Sequence, residues 1–349
     1  MNPRIVSAQE ALERLDDFDS ILDARSPSEF AEDHLPGARS MPVLDDEQRA
    51  AVGTQYKQEP FLARRMGAAL VAENIARHLQ GPLSEHDRDW QPLVYCWRGG
   101  QRSNSLATIL ARVGWKVGLL EGGYKAFRGR LLEVLPTMVE RFDFRVVCGV
   151  TGSGKTRFLD ALSRAGQQIL DLEGLACHRG SILGAMPDAP QPSQKHFETR
   201  IWNVLRRLDA ERPVYVESES KKVGNVQVPD VLMQRIRTST CVTLELGLEH
   251  RVALLCEEYA HFFQARDPLR AQLQKLVALV GHEQVAKWIE QVDSGDWAQL
   301  VESLLALHYD PSYLRSIDRN FPQRVHGQVI RLEGHLQMHY DAAASSLSL

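Results

Sequence analysis

The sequence predicts an α/β protein built as two parallel-sheet units in series. Short apolar runs alternate with helical patterns along the chain, the signature of parallel sheets covered by helices rather than of bundles or sandwiches. A G-x-x-x-x-G-K-[ST] run follows one of these apolar runs and opens a helix. The 349 residues, 44% of them hydrophobic, fill two cores at the usual ~100–200 residues per domain.

Taken in order, strands are predicted at Ser20 to Asp23, Leu93 to Cys96 and Val117 to Leu120, and this first set ends near Glu121-Gly122-Gly123-Tyr124. A polar, charge-dense helix from Lys125 to Arg141 leads to a new strand, Phe144 to Cys148. The boundary is placed there: a first unit over 1–130, a linker helix over 131–143 and a second unit over 144–349. Further strands are predicted at Gln168 to Leu172, Pro213 to Glu217, Cys241 to Leu246 and Val329 to Leu332. Residues 249–308, with few breakers and apolar side chains at three- and four-residue spacing, read as continuous helix.

Composition excludes several classes. Charged residues make up 25%, and 41 Lys+Arg against 45 Asp+Glu leave a net charge of −4, which suits neither a disordered chain nor a generally basic nucleic-acid binder. The first 50 residues hold 12 acidic and 5 basic side chains, so the remainder is weakly positive. No stretch approaches the ~20 apolar residues that cross a bilayer, and MNPRIVSAQEALERL lacks a signal-type apolar core; a cytoplasmic location without membrane contact is expected. Five cysteines, Cys96, Cys148, Cys177, Cys241 and Cys256, are widely spaced without zinc-type spacing, so each is judged singly.

Gly149-Val150-Thr151-Gly152-Ser153-Gly154-Lys155-Thr156 matches the phosphate-loop pattern at every defined position. With glycine at ~7% of residues, the bare pattern arises by chance about once in a hundred chains of this length, and the flanking strand and helix lower that. The helix carries Phe158, Leu159, Leu162 and Ala165 on one face and stops at Gly166. Gly149, Thr151, Gly152, Ser153 and Gly154 present backbone N–H groups to phosphate oxygens, Lys155 neutralises charge, and Thr156 can ligate Mg²⁺. A di- or triphosphate is the expected ligand, whether a nucleotide or another diphosphate. Glu217, ending an apolar run and followed by Glu219, is a candidate to order a metal or water; exposed carboxylates at a strand end are an equal alternative.

Cys96-Trp97-Arg98-Gly99-Gly100-Gln101-Arg102-Ser103 lies between a strand and an amphipathic helix bearing Leu106, Ile109, Leu110 and Val113. A cysteine there meets loop N–H groups, a helix N-terminus and two arginines, the surroundings of a nucleophile rather than of a core thiol. The other four cysteines lie in or beside apolar runs and are read as structural.

The first unit resembles the rhodanese family over roughly residues 1–130. The resemblance rests on Asp23-Ala24-Arg25-Ser26-Pro27-Ser28-Glu29-Phe30, His34-Leu35-Pro36-Gly37-Ala38, the cysteine loop and Leu120-Glu121-Gly122-Gly123-Tyr124. It implies a chalcogen carried on Cys96, with the early segments as scaffold. Common single-domain rhodaneses place the loop arginine five positions after the cysteine; Arg102 lies six after Cys96, a C-x5-R spacing that suits a larger tetrahedral anion and is shared with cysteine-dependent phosphatases.

The whole chain resembles the tRNA 2-selenouridine synthase family, through Val52-Gly53-Thr54-Gln55-Tyr56-Lys57, Cys96 to Gly100, Asp171-Leu172-Glu173, His178-Arg179-Gly180-Ser181, Glu217 to Ser220 and His308-Tyr309-Asp310-Pro311. The resemblance implies that wobble 2-thiouridine of tRNA is S-geranylated with geranyl diphosphate and then exchanged for selenium from selenophosphate through a Cys-bound selenium intermediate. Cys96, Arg98 and Arg102 become the catalytic candidates, and Trp97, Gly99, Gly100, Gln101 and Ser103 the selenophosphate loop. The glycine-rich loop and Arg179 become the diphosphate site, with His178 beside it and Thr156 and Glu217 as candidates for Mg²⁺; no tightly bound cofactor is expected. tRNA, not DNA, is the nucleic acid implied. Arg64-Arg65, Lys125, Arg128, Arg130, Arg206-Arg207 and Lys221-Lys222 are candidate contacts, each more often solvated surface.

Three alternatives stay open. C-x5-R fits a cysteine phosphatase, Lys155, Thr156 and Glu217 fit a kinase or NTPase with a regulatory rhodanese module, and Cys96 also fits sulfur transfer from a protein donor.

Overall fold

The computed structural model describes residues 2–181, 184, 189–260, 263 and 266–347. The chain forms two compact units, Met1–Pro136 with Ser193–Asn203, and Thr137–Pro192 with Val204–Leu349. Both are α/β, as the alternating pattern predicts.

The first unit holds five strands, β1 (Arg4–Val6), β2 (Ser20–Asp23), β3 (Ala38–Ser40), β4 (Pro92–Tyr95) and β5 (Gly118–Leu120). They lie in the order β1-β5-β4-β2-β3, every pairing parallel. The sequence pattern misses β1 and β3, three-residue edge strands with at most one buried side chain each. Central β4 is buried at all four positions, which is why it reads as a plain apolar run. Helix Gln101–Val113 packs Leu106, Ala107, Leu110 and Ala111 inward. Val113, expected on that stripe, is 56% exposed, because two small alanines form the contact edge instead.

Two boundaries differ from expectation. The helix read as a linker over 131–143 begins at Gly123 and runs to Glu140, and the division falls after Pro136 within it, where proline removes an intrahelical hydrogen bond. Ser193–Asn203, expected in the second unit, belongs to the first. This segment buries Phe197, Ile201 and Trp202, and Trp202 meets Phe127 edge-on at 5.5 Å. Apolar residues at helical spacing show that a face is buried, not in which core.

The second unit has a parallel sheet of β6 (Phe144–Cys148), β7 (Gln168–Leu170), β8 (Val214–Glu217), β11 (Thr240–Leu246) and β12 (Gln328–Leu332), with a short antiparallel hairpin, β9 (Lys222–Val223) and β10 (Val226–Gln227). The order β12-β11-β6-β8-β7 puts β6 at the centre, where connections leave in opposite directions. This is the switch point at which open α/β sheets bind ligands. Helix Lys155–Arg164 buries Phe158, Leu159, Ala161 and Leu162; Ala165, expected on this face, is its exposed C-cap.

Residues 249–308 are helical but not one helix. They comprise Leu248–Glu258, Arg266–Gln274, Val277–Val280, His282–Ser294, Trp297–Leu304 and a π-helical turn, Leu305–Tyr309. Residues 261, 262, 264 and 265 of this range lie outside the described residues. Gly281 and Gly295, at φ +86° and +76°, are the breakers that the spacing conceals. No helix among the described residues is long and apolar enough to cross a membrane.

Candidate functional site

In the first unit the loop after β4 wraps the thiol of Cys96, which is 3% exposed. The Gly100 N–H donates to Sγ at 3.3 Å and the Ser103 hydroxyl at 3.0 Å. Both donors come from the start of helix Gln101–Val113, so sulfur lies where the helix dipole favours negative charge. The Glu121 to Tyr124 segment closes the loop from behind, with the Tyr124 N–H donating to the Cys96 carbonyl at 2.8 Å and the Lys125 N–H to that of Trp97 at 3.0 Å. Gly123, at φ +58°, permits this approach: a Cβ there would lie 2.2 Å from the Cys96 carbonyl oxygen. Trp97 stacks on Tyr124 at 5.3 Å.

The two predicted arginines behave differently. Arg98 is exposed, as are Gly100 and Gln101, and Gly99 turns the loop at φ +65°. Arg102 is gripped by Glu29, with Nη1 to Oε2 at 2.5 Å and Nη2 to Oε1 at 3.3 Å. Burial opposes ionisation of Glu29, but Arg102, with the Ser26 N–H and Arg49, outweighs it and holds the carboxyl below its usual range. Arg102 therefore stands at the rim as half of an ion pair rather than as an unopposed anion ligand.

The early segments are scaffold. Buried Asp23 accepts from Arg25 and from the Tyr95 hydroxyl at 2.7 Å, and the Arg25 guanidinium lies 4.3 Å from the Tyr124 ring centre. Asp33, 1% exposed, accepts from Tyr124 at 2.7 Å and Thr199 at 3.0 Å, with His196 Nδ1 at 3.2 Å. Burial works against its charge, and these partners keep its pKa low nonetheless. This network explains why the 193–203 segment docks in the first unit.

In the second unit the loop after β6 takes the shape its glycines allow. Gly152 and Gly154 adopt φ +78° and +77°, and a Cβ on Gly154 would lie 2.1 Å from the hydroxyl of buried Tyr340. Ser153 is buried within the turn. Lys155 donates to the Gly149 carbonyl at 3.0 Å, and the Gly149 N–H donates to the Tyr313 hydroxyl at 2.8 Å. Burial disfavours the Lys155 charge, but Tyr313, Glu173 and Glu219 more than restore it, so its pKa lies above the ordinary value. Thr156 donates to Glu173 at 3.3 Å. A cavity of about 550 Å³ opens over Thr151, Gly152, Gly154, Lys155 and Thr156, with Arg179 on its wall.

Glu217 and Thr156, predicted as partners at one ion, are engaged separately. Glu217 is fully buried and accepts the Leu172 N–H at 3.1 Å; burial and Asp171 push its pKa well up. Burial and Glu219 likewise raise Glu173 well above the carboxylate range. Among the described residues no three His, Cys, Asp or Glu side chains are arranged to hold a metal ion. Arg179 donates to the Glu258 carbonyl at 2.9 Å and lies 5.1 Å from the Tyr259 ring centre, while His178 Nδ1 accepts the Gly180 N–H.

The candidate tRNA bases also divide. Arg128 is tied to Glu198 and Lys221 to Asp230, at 2.6 Å in the second pair, and Arg130 bonds Gln9 and Glu133. Arg64, Arg65, Lys125, Arg207 and Lys222 are exposed, and Arg206 is half-buried. Cys148 and Cys241 are buried as expected; Cys177 and Cys256 are half-buried, Cys177 capping a helix at φ +50°.

Sequence reasoning missed Arg251, Tyr313 and Tyr340. Arg251, 6% exposed, donates to the Thr151 carbonyl at 2.9 Å and forms a two-pronged pair with Asp310 at 3.0 and 2.6 Å. Asp310, part of the His308 to Pro311 segment, ties the loop to the helical region. A lone arginine in a helix carries no sequence signal for this.

Together these features define a two-site protein: a rhodanese-type cysteine loop on one parallel sheet and a P-loop on another. The rhodanese-like domain family matches residues 7–130, and the family described as tRNA 2-selenouridine synthase AAA domain matches residues 142–275. A tRNA 2-selenouridine synthase of Nitrosomonas europaea is 32% identical over 86% of this chain and 89% of its own. That of Alcanivorax borkumensis is 33% identical over 84% and 88%, and that of Shewanella piezotolerans 30% identical over 97% and 98%. The chain belongs to the tRNA 2-selenouridine synthase family.

Proposed function

We propose that this protein converts the wobble 2-thiouridine of tRNA to 2-selenouridine in the cytoplasm, using geranyl diphosphate and selenophosphate as co-substrates. The observation that carries the reading is the pairing of a donor-wrapped buried thiol with a P-loop cavity on one chain. In the first step the thiocarbonyl sulfur bonds to C1 of the geranyl chain. The C1–O bond breaks, pyrophosphate leaves with the electron pair, and the N3 proton passes to solvent. Lys155 and the loop amides stabilise charge growing on pyrophosphate. Alkylation makes the sulfur a leaving group: selenium adds at C2 and the S-geranyl group departs as a thiolate.

Cys96 is the residue proposed to receive selenophosphate. Carrying selenium as an S–Se bond requires two electrons to leave for an acceptor such as a disulfide, because selenophosphate delivers selenium at the selenide level. Attack of the thiolate on phosphorus needs no acceptor: an S–P bond forms, the P–Se bond breaks, hydrogen selenide is released, and water frees the cysteine. The tetrahedral-anion spacing of the loop supports the second route. Mg²⁺ would supply charge neutralisation to the diphosphate; Thr156 would ligate it, whereas Glu217 is buried and engaged with the Leu172 N–H.

Mass spectrometry of wobble nucleosides tests the division of labour. Cys96→Ser is expected to abolish 2-selenouridine by at least about 100-fold while S-geranyl-2-thiouridine accumulates, and Lys155→Ala to cut geranylation about 100-fold. Normal selenouridine from Cys96→Ser would refute the role given to the thiol.

A further inference from the structure

A second, smaller cavity of about 50 Å³ adjoins the P-loop cavity. The two share Thr151, Ser181, Leu255, Tyr259 and Tyr309, so one opens into the other. Beyond this shared mouth the small cavity is lined by Phe263, Leu269, Leu300, Val301, Leu304 and Leu305, none of which offers a side-chain hydrogen-bond donor or acceptor. A nucleotide base would leave its polar edge unpaired there, at a desolvation cost that hydrocarbon escapes. The π-helical turn Leu305–Tyr309 forms part of the wall, with Leu305 and Tyr309 both lining the cavity, and such turns are frequent at functional sites.

We infer that this cavity receives the far end of a short isoprenoid chain whose diphosphate is held by the P-loop, and that its apolar lining, Val301 included, limits the chain length. The inference rests on the reading of the P-loop as a diphosphate site. A cavity of ~150 Å³ accommodates a benzene ring, so about 50 Å³ takes a branched methyl terminus. The rest of a ten-carbon chain lies along Leu255, Tyr259 and Tyr309 in the mouth. A fifteen-carbon chain would exceed the volume available.

The test is direct binding of inorganic pyrophosphate, dimethylallyl, geranyl and farnesyl diphosphate to the full chain by calorimetry. Wild type is expected to bind geranyl diphosphate at least about tenfold more tightly than pyrophosphate, and farnesyl diphosphate more weakly than geranyl. Val301→Phe, which fills the cavity, should weaken geranyl diphosphate about tenfold and leave pyrophosphate within about twofold. Val301→Ala should shift preference toward farnesyl diphosphate, a gain that a merely damaged protein would not produce. Unchanged chain-length preference in both variants, with pyrophosphate still bound, would put the tail elsewhere and overturn the inference alone. Failure of wild type to bind pyrophosphate, with Lys155→Ala without effect, would instead overturn the diphosphate reading and the inference with it.

Discussion

The cysteine loop and the P-loop solve the same problem with different means. Each follows the central strand of a five-stranded parallel sheet and each opens a helix. Each also sets a cation against a carboxylate, Arg102 with Glu29 and Lys155 with Glu173. In the first the carboxyl is held low by its partner, giving a formed ion pair. In the second, burial and Glu219 push the carboxyl up, which disfavours the charge that would pair with the lysine. An identical topological position thus gives a quenched cation beside a nucleophile and an available one over an anion cradle.

The largest expected effect breaks the closure of the cysteine loop. Gly123→Ala forces a side chain into left-handed backbone against the Cys96 carbonyl, which should destabilise the first unit by about 2–5 kcal/mol in urea unfolding. The loss of selenouridine should then resemble that of Cys96→Ser.

A smaller effect sharpens the carboxylate contrast. For Glu173 the folded pKa is raised, so its protonated form favours the folded state; that stability is complete below the unfolded pKa and fades as pH rises through the folded one. Pyrophosphate affinity should fall over the same rise as negative charge appears on Glu173 near Lys155. Glu173→Gln should flatten this loss relative to wild type, giving a gain of about tenfold on the alkaline side, read as the difference between the two calorimetric pH profiles.

Glu29→Gln is the smallest. It releases Arg102 from a partly exposed pair, so the KM for selenophosphate should drop by roughly two- to fivefold, with geranylation unaffected. A rise in KM would mean that Glu29 holds Arg102 in its working position.

Much of this was legible in the chain because it is local chemistry. A glycine-rich run between an apolar strand and a helix can do little besides bind phosphate, and Cys96 to Ser103 carries its donors within eight consecutive residues. Edge strands β1 and β3 were not legible, since three residues with at most one buried side chain show no period. The partners of Thr156 and Glu217 were not legible either. Both were identified as ligand-type residues, but Glu173 and Leu172 intervene through a turn whose geometry no spacing specifies.

By itself the sequence determined the α/β class, the two loops and the more buried strands, because short-range backbone preference and apolar periodicity specify those. Tertiary structure alone decided that 193–203 joins the first unit, that Arg251 and Asp310 brace the P-loop, and that an apolar recess opens beside it. These depend on which buried faces and charges find each other across a hundred residues of chain, and hydrophobic pattern says only that a face is buried, not what covers it.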